Sequence, residues 1–180
     1  MFGAMKGIGF LALTTTVAAS LQGCSAPVLT PPVDAGVEAA AACSAYEVPS
    51  STDLTAPTVS FRNDVTPLFN ASCGAATCHG SATSARVFLG SNTASTGDPS
   101  AIRTGLVGVN SSALPTMPFV TAGDPKTSFL QHKIDGDLCT LAPQCTDGDC
   151  GSTMPEGKPL IAVSDRDTIR RWIAQGAVDN

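Results

Sequence analysis

The clearest periodic segment lies at the C-terminal end of the chain. Ile169, Trp172 and Ile173 recur at i, i+3 and i+4, the apolar stripe of an amphipathic helix, with Arg170 and Arg171 expected to face solvent. Ser164 is placed to N-cap that helix. Asp165 and Asp167 fall in its first turn, where carboxylates meet the positive end of the helix dipole, and Gly176 is a natural stop. A second apolar face comes from Phe61, Val65, Leu68 and Phe69 at i, i+4, i+7 and i+8. Pro67 either kinks this helix or starts a fresh one after Thr66. A weaker helix is predicted over Lys126–Ile134, with Phe129, Leu130 and Ile134 turned inward. Ser81–Leu114, rich in Gly, Ser and Thr, reads as loops with short elements. Leu138–Gly157, with its cysteines, glycines and aspartates, reads as a loop. The expected fold is mainly α: a few short helices joined by long loops.

Before Phe61 the pattern is different. Ser25–Val59 shows neither a 3.6 nor a 2.0 apolar period and is rich in Ala, Pro, Ser, Thr and Val, so it reads as a tether. Cys43 is the exception within it, since a cysteine in an exported tether usually has a partner. Upstream, Met1–Lys6 carries one lysine and Gly7–Ser20 is apolar and uncharged. That apolar run is too short to span a bilayer comfortably and reads as a signal-peptide core. It leads into Leu21-Gln22-Gly23-Cys24, which resembles the bacterial lipobox. The resemblance implies cleavage before Cys24, a lipid on that cysteine, and a location at the membrane surface of the cell envelope. The expected division is 1–23 lipoprotein signal peptide, 24–59 flexible tether and 60–180 folded domain. A flexible tether of this length reaches about 30 Å if its steps add as a random coil.

Composition narrows the function. The chain has 10 basic and 15 acidic residues and no basic block, which argues against a nucleic-acid partner. With one Trp and one Tyr, its domain buries limited apolar area and needs staples or a cofactor to complete its core. Seven cysteines are available for that purpose.

Two of those cysteines stand in Cys73-Gly-Ala-Ala-Thr-Cys78-His79. A c-type haem takes two thiols, which form thioethers with its vinyl groups, and a histidine directly after the second thiol as an iron ligand. The usual spacing places two residues between the cysteines; here there are four. The competing reading is a plain disulfide with His79 merely adjacent. The surroundings favour haem. Phe61-Arg-Asn-Asp64-Val65-Thr-Pro67-Leu68-Phe69, followed by Cys78-His79-Gly80, resembles the opening of a family of monohaem c-type cytochrome domains in exported bacterial proteins. Met154-Pro155-Glu-Gly157, then Trp172-Ile173-Ala-Gln-Gly176-Ala177, resembles the family's closing segment, and Gly123-Asp124-Pro125 through Phe129-Leu130 its middle. The resemblance covers about Phe61–Asn180. It implies a small cytochrome c-like helical domain that holds haem c and its iron through Cys73, Cys78, His79 and Met154. His79 would be the proximal and Met154 the distal iron ligand. It also implies that the Trp172 helix packs against the helix preceding the haem cysteines. Met117, followed by Pro118, and His132 are rival distal ligands.

Setting aside Cys24 for lipid and Cys73 and Cys78 for haem leaves Cys43, Cys139, Cys145 and Cys150, which can form two disulfides in three connectivities. A bridge from Cys43 to one of the other three would pin the tether's end beside the Met154 loop. The same cysteines could instead ligate a metal, but their spacing does not match structural zinc. Asp147-Gly-Asp149 matches only a fragment of a calcium loop. The expected function is an electron-transfer lipoprotein, not an enzyme, that passes single electrons to a redox partner protein of the cell envelope. The alternative is a haem-free, disulfide-stapled surface lipoprotein that uses this scaffold for binding. A peroxidase ranks last, because only one other histidine is available for acid–base work.

Overall fold

A computed structural model describes residues 43–83, 87–92 and 97–180. The expected signal peptide, Cys24 and the first part of the tether lie outside the described residues. The described chain is mainly α, and among the described residues there is no strand, only isolated bridges such as Val107–Val120. Among the described residues four α-helices carry the fold: α1 (Thr66–Ser72), α2 (Pro99–Thr104), α3 (Phe129–Asp135) and α4 (Val163–Ala174). Among the described residues no helix is long and apolar enough to cross a membrane.

The segment before the cysteines forms as two pieces joined at Pro67. A wide π turn, Phe61–Val65, runs directly into α1. Pro67 has no N–H to return to Asn63, and its ring crowds that carbonyl, so the turn ahead of it widens. Ser60 starts the turn by a reciprocal cap. Its Oγ accepts the Asn63 N–H at 3.2 Å, while Asp64 accepts the Ser60 N–H at 2.8 Å. The inward face is the expected one: Phe61, Val65 and Phe69 are buried and Leu68 is half-buried.

α4 meets this face. The Phe61 and Trp172 rings stack at 4.7 Å between centroids, and Phe69 meets Phe61 edge-on at 6.3 Å. Trp172 is fully buried, and its indole N–H donates to the Val178 carbonyl at 3.0 Å, which satisfies the one polar atom it takes into the core. Two expectations about α4 need correction. The helix begins at Val163, not after Ser164; Ser164 Oγ bonds Asp165 and caps nothing. Arg170 does not face solvent. It is 1% exposed, and its guanidinium grips both oxygens of Asp135 at 2.6 Å and also Asp167. Arg166, one turn earlier, reaches the same Asp135 at 3.2 Å. Positions 166 and 170 therefore face α3, and an ion-pair cluster extends the apolar stripe. Buried arginines are tolerated here because each is paired and hydrogen-bonded.

The domain also starts earlier than the apolar pattern implied. Residues 43–59, expected as the end of the tether, lie against α4 and the end of α3. Cys43 is bonded to Cys139. The Arg166 and Arg170 guanidinium groups sit over the Tyr46 ring at 4.8 and 4.9 Å. Gln175 Nε2 donates to the carbonyls of Leu54, Thr55 and Pro57, and its Oε1 accepts the Val59 N–H. Arg171 Nε donates to the Asp53 carbonyl at 2.8 Å. Apart from the disulfide and the Tyr46 ring, the strap is held through its backbone by polar side chains of α4 and its C-cap Gln175, so it needs no apolar period and shows none.

The weak helix over 126–134 resolves into a 3-10 turn, Pro125–Thr127, followed by α3, with Phe129, Leu130 and Ile134 buried as expected. The stretch 138–150 is a chain of 3-10 turns closed by a Cys145–Cys150 disulfide. It packs Leu138, Leu141 and both cysteines against Leu114 and Phe129 in a second small core.

Candidate functional site

α1 ends at Ser72 and hands the chain to the cysteine loop. Cys73 occupies the C-cap position. The loop then closes on itself: the Cys78 and Gly80 N–H groups both donate to the Ala75 carbonyl, at 2.8 and 2.9 Å, and the His79 N–H donates to Cys73 at 3.1 Å. A Cβ at Gly80 would stand 2.1 Å from the Gly74 carbonyl oxygen, so only glycine permits this close approach. The His79 carbonyl accepts the Leu89 N–H at 3.0 Å, which ties the loop to the following segment.

His79 is oriented by one contact. Its Nδ1 lies 2.9 Å from the Val87 carbonyl oxygen. A carbonyl only accepts, so Nδ1 carries the proton, and in the neutral ring Nε2 is left with a free lone pair. His79, Cys73 and Met154 line one apolar cleft, walled by Leu68, Phe69, Leu89, Leu106, Leu130 and Ile161 among others. Met154 is delivered by the loop that follows the Cys145–Cys150 bridge, and its N–H donates to the Lys133 carbonyl at 2.8 Å. The fold thus brings residues 73, 79 and 154 to the same walls. Cys78 is exposed and is not on those walls.

Both thiols are free, Cys78 exposed and Cys73 half-buried. Burial, with a charge on Cys78 as a smaller cause, pushes the Cys73 thiol up to about 11. Cys73 is therefore a neutral thiol facing an apolar space.

The rival ligands are placed elsewhere. Met117 packs against the second core and does not line the cleft. His132 lines a separate polar cavity with Tyr46, Asp124, Asp137 and Arg170. Its Nδ1 bonds Asp137 Oδ1 at 2.8 Å and its Nε2 bonds the Lys126 carbonyl at 2.9 Å. Both partners are acceptors, an arrangement that favours the protonated ring, in which both nitrogens donate. The bond to Asp137 holds His132 protonated above its ordinary range against the opposing effect of burial. Burial would raise Asp137, but its bonds from His132 and from the Tyr46 N–H outweigh that and leave it lowered.

The four remaining cysteines pair as Cys43–Cys139 and Cys145–Cys150. This uses the thiols that a metal reading of Cys139, Cys145 and Cys150 required. Among the described residues no group of three or more His, Cys, Asp or Glu is placed to hold a metal ion. Sequence reasoning missed Lys133. It lines the cleft with His79 and Met154, and nothing in its neighbourhood, a weak helix that also carries Lys126, marks it.

The size of the space tests the implied cofactor. The inner cleft is narrow, about 70 Å³. It adjoins an outer cavity of about 490 Å³, and His79, Val87, Phe119, Phe129, Lys133 and Met154 line both. Cofactor pockets run to about 300–1,000 Å³. The combined space is therefore of the right size for a flat macrocycle, with the histidine and methionine at the junction. The donor set also fits, with one imidazole nitrogen free, one thioether, and one thiol on the same wall. No family model, curated protein or solved structure matches this chain.

Proposed function

We propose that the cleft holds a c-type haem and that the protein is an electron-transfer lipoprotein of the cell envelope with a cytochrome c-like domain. The observation that carries this reading is the convergence of His79, Met154 and Cys73 on one apolar cleft, with the His79 Nδ1 proton committed to Val87. Cys73 and Cys78 would each add their S–H across a vinyl group, an addition that needs no oxidant. His79 Nε2 and the Met154 sulfur would hold the iron. When bound, the haem supplies a one-electron iron couple.

The chain's own residues do the rest. The Val87 carbonyl fixes the His79 tautomer and ring orientation. The apolar walls keep water away from the iron site, and a thioether ligand favours reduced iron and raises the potential. A lipid on Cys24 would keep the domain near a membrane-bound redox partner protein. The haem-free alternative depends on a Cys73–Cys78 bridge, and both thiols are free here.

The test is an absorption spectrum of protein made with a cytochrome maturation system, followed by a pyridine haemochrome assay. One covalently held haem per chain is expected. A colourless product from cells that mature other c-type cytochromes sinks the proposal.

A further inference from the structure

We propose that Lys133 is a positioning residue whose ammonium clasps segment 150–154 and so holds Met154 in the cleft that His79 also lines. The inference rests on the haem reading for its consequence and on geometry for its substance. Lys133 Nζ donates to the Cys150 carbonyl at 2.6 Å and to the Ser152 carbonyl at 2.8 Å. The Lys133 backbone carbonyl accepts the Met154 N–H at 2.8 Å. One residue of α3 therefore fastens the segment at three successive alternate positions, 150, 152 and 154.

The chain wraps tightly around the ammonium. Between the two carbonyls stands Gly151, at φ +71°, where a Cβ would lie 3.1 Å from Nζ. Beneath, the Phe129 ring centroid is 5.2 Å from Nζ. Burial pulls the Lys133 ammonium down, and only the carboxylates of Asp149 and Glu156 act against that. A half-buried ammonium beside an apolar cleft is costly unless it satisfies other groups. Here it satisfies the Cys150 and Ser152 carbonyls. The Cys145–Cys150 bridge fixes the start of the segment, and Ser152 Oγ donating to Glu156 at 2.7 Å braces its far side. The charge, rather than the bulk of the side chain, closes the clasp.

The test compares Lys133→Met, which keeps the length and loses the charge, with Lys133→Arg, which keeps the charge, in the full haem-loaded chain. Lys133→Met is expected to keep its helix content but to lose most of the ferric sulfur-to-iron charge-transfer band and to show a lower midpoint potential. Lys133→Arg is expected to restore both. Gly151→Ala crowds Nζ from the other side and is expected to weaken the same band. In haem-free protein, hydrogen exchange at the Met154 amide should quicken at least about tenfold in Lys133→Met, which loses both charged hydrogen bonds to the segment, while α4 amides stay unchanged. A full charge-transfer band in Lys133→Met overturns the proposal. If wild type takes up no haem, the haem reading fails, and exchange at Met154 alone decides the clasp: an unchanged rate overturns it and a faster one supports it.

Discussion

Two loops of this chain carry cysteines at the same spacing and come to different ends. Cys145 and Cys150 are bonded, with Cα atoms 5.3 Å apart, whereas Cys73 and Cys78 are free. The residues between them account for the difference. In the first loop Asp147 and Gly148 both adopt positive φ, 56° and 71°, which reverses the chain and returns the second cysteine to the first. The 73–78 loop has no residue at positive φ. Its turn is built on the Ala75 carbonyl and leaves Cys73 facing the cleft and Cys78 facing water. Spacing sets what is possible; the backbone conformation between the cysteines decides whether they meet. The closed loop serves as a structural hinge for Met154, and the open one keeps two thiols available beside His79.

The largest effect should separate the loops by function. His79→Ala or Cys78→Ala is expected to abolish haem loading and sharply destabilise the matured domain, while Cys145→Ser with Cys150→Ser should still load haem. Pyridine haemochrome yields and thermal melts on the variants check this, and equal melts for His79→Ala and wild type would count against haem as part of the core.

The two disulfides should differ next. Cys43–Cys139 closes a loop with a sequence separation of 96 and Cys145–Cys150 one of 5. Chain-entropy reasoning assigns about 4–5 kcal/mol to the long loop and about 2 kcal/mol to the short one. Denaturant titration of the two Cys→Ser pairs reads both. Loss of the long bridge should also free the 43–59 strap to proteolysis.

A third contrast lies inside the open loop. At pH 8, in haem-free protein, Cys78 should alkylate at least ~100-fold faster than Cys73, because thiolate is the reactive form and burial keeps Cys73 protonated. Mass mapping after timed iodoacetamide treatment gives the ratio. Equal rates would mean that Cys73 does not sit in an apolar wall.

The smallest effect is a pH dependence at the strap. His132 is raised above its ordinary value of 6.5, so the stability it contributes is complete below that pH and is lost as pH rises through its folded value. Asp137 is lowered below 3.8, so its contribution holds above that pH and is lost as pH falls further. The pair is strongest between these limits. His132→Asn should cost about 1 kcal/mol near pH 5.5 and progressively less at alkaline pH, read from denaturant midpoints across the range.

Much of the framework was legible along the chain. The apolar stripes of Phe61–Phe69 and Ile169–Ile173 are buried as their spacing implied, because burying one face of a short helix is a local decision. Phe129, Leu130 and Ile134 turned inward for the same reason. The strap at 43–59, the burial of Arg170 and the clasp at Lys133 were not legible. Each is held by hydrogen bonds to backbone carbonyls or by ion pairs between distant segments, and such partners leave no period in the sequence.

The sequence by itself determined that this is a mainly α domain, that two of its helices carry apolar faces, and that a Cys-x4-Cys-His loop follows directly on one of them. Only the tertiary structure decided the pairing of the four structural cysteines and which methionine stands in the cleft with His79. Met117 and Met154 are both followed by proline, and only Met154 leads on to a glycine, Gly157, which marks it in the sequence without placing it in a cavity. They part because loop 150–154 is drawn onto α3 by Lys133, whereas Met117 is taken up by the second core. Which side chains share a cavity depends on where loops close over long distances. Loop closure is set by the sum of many contacts and not by the residues adjacent in the chain.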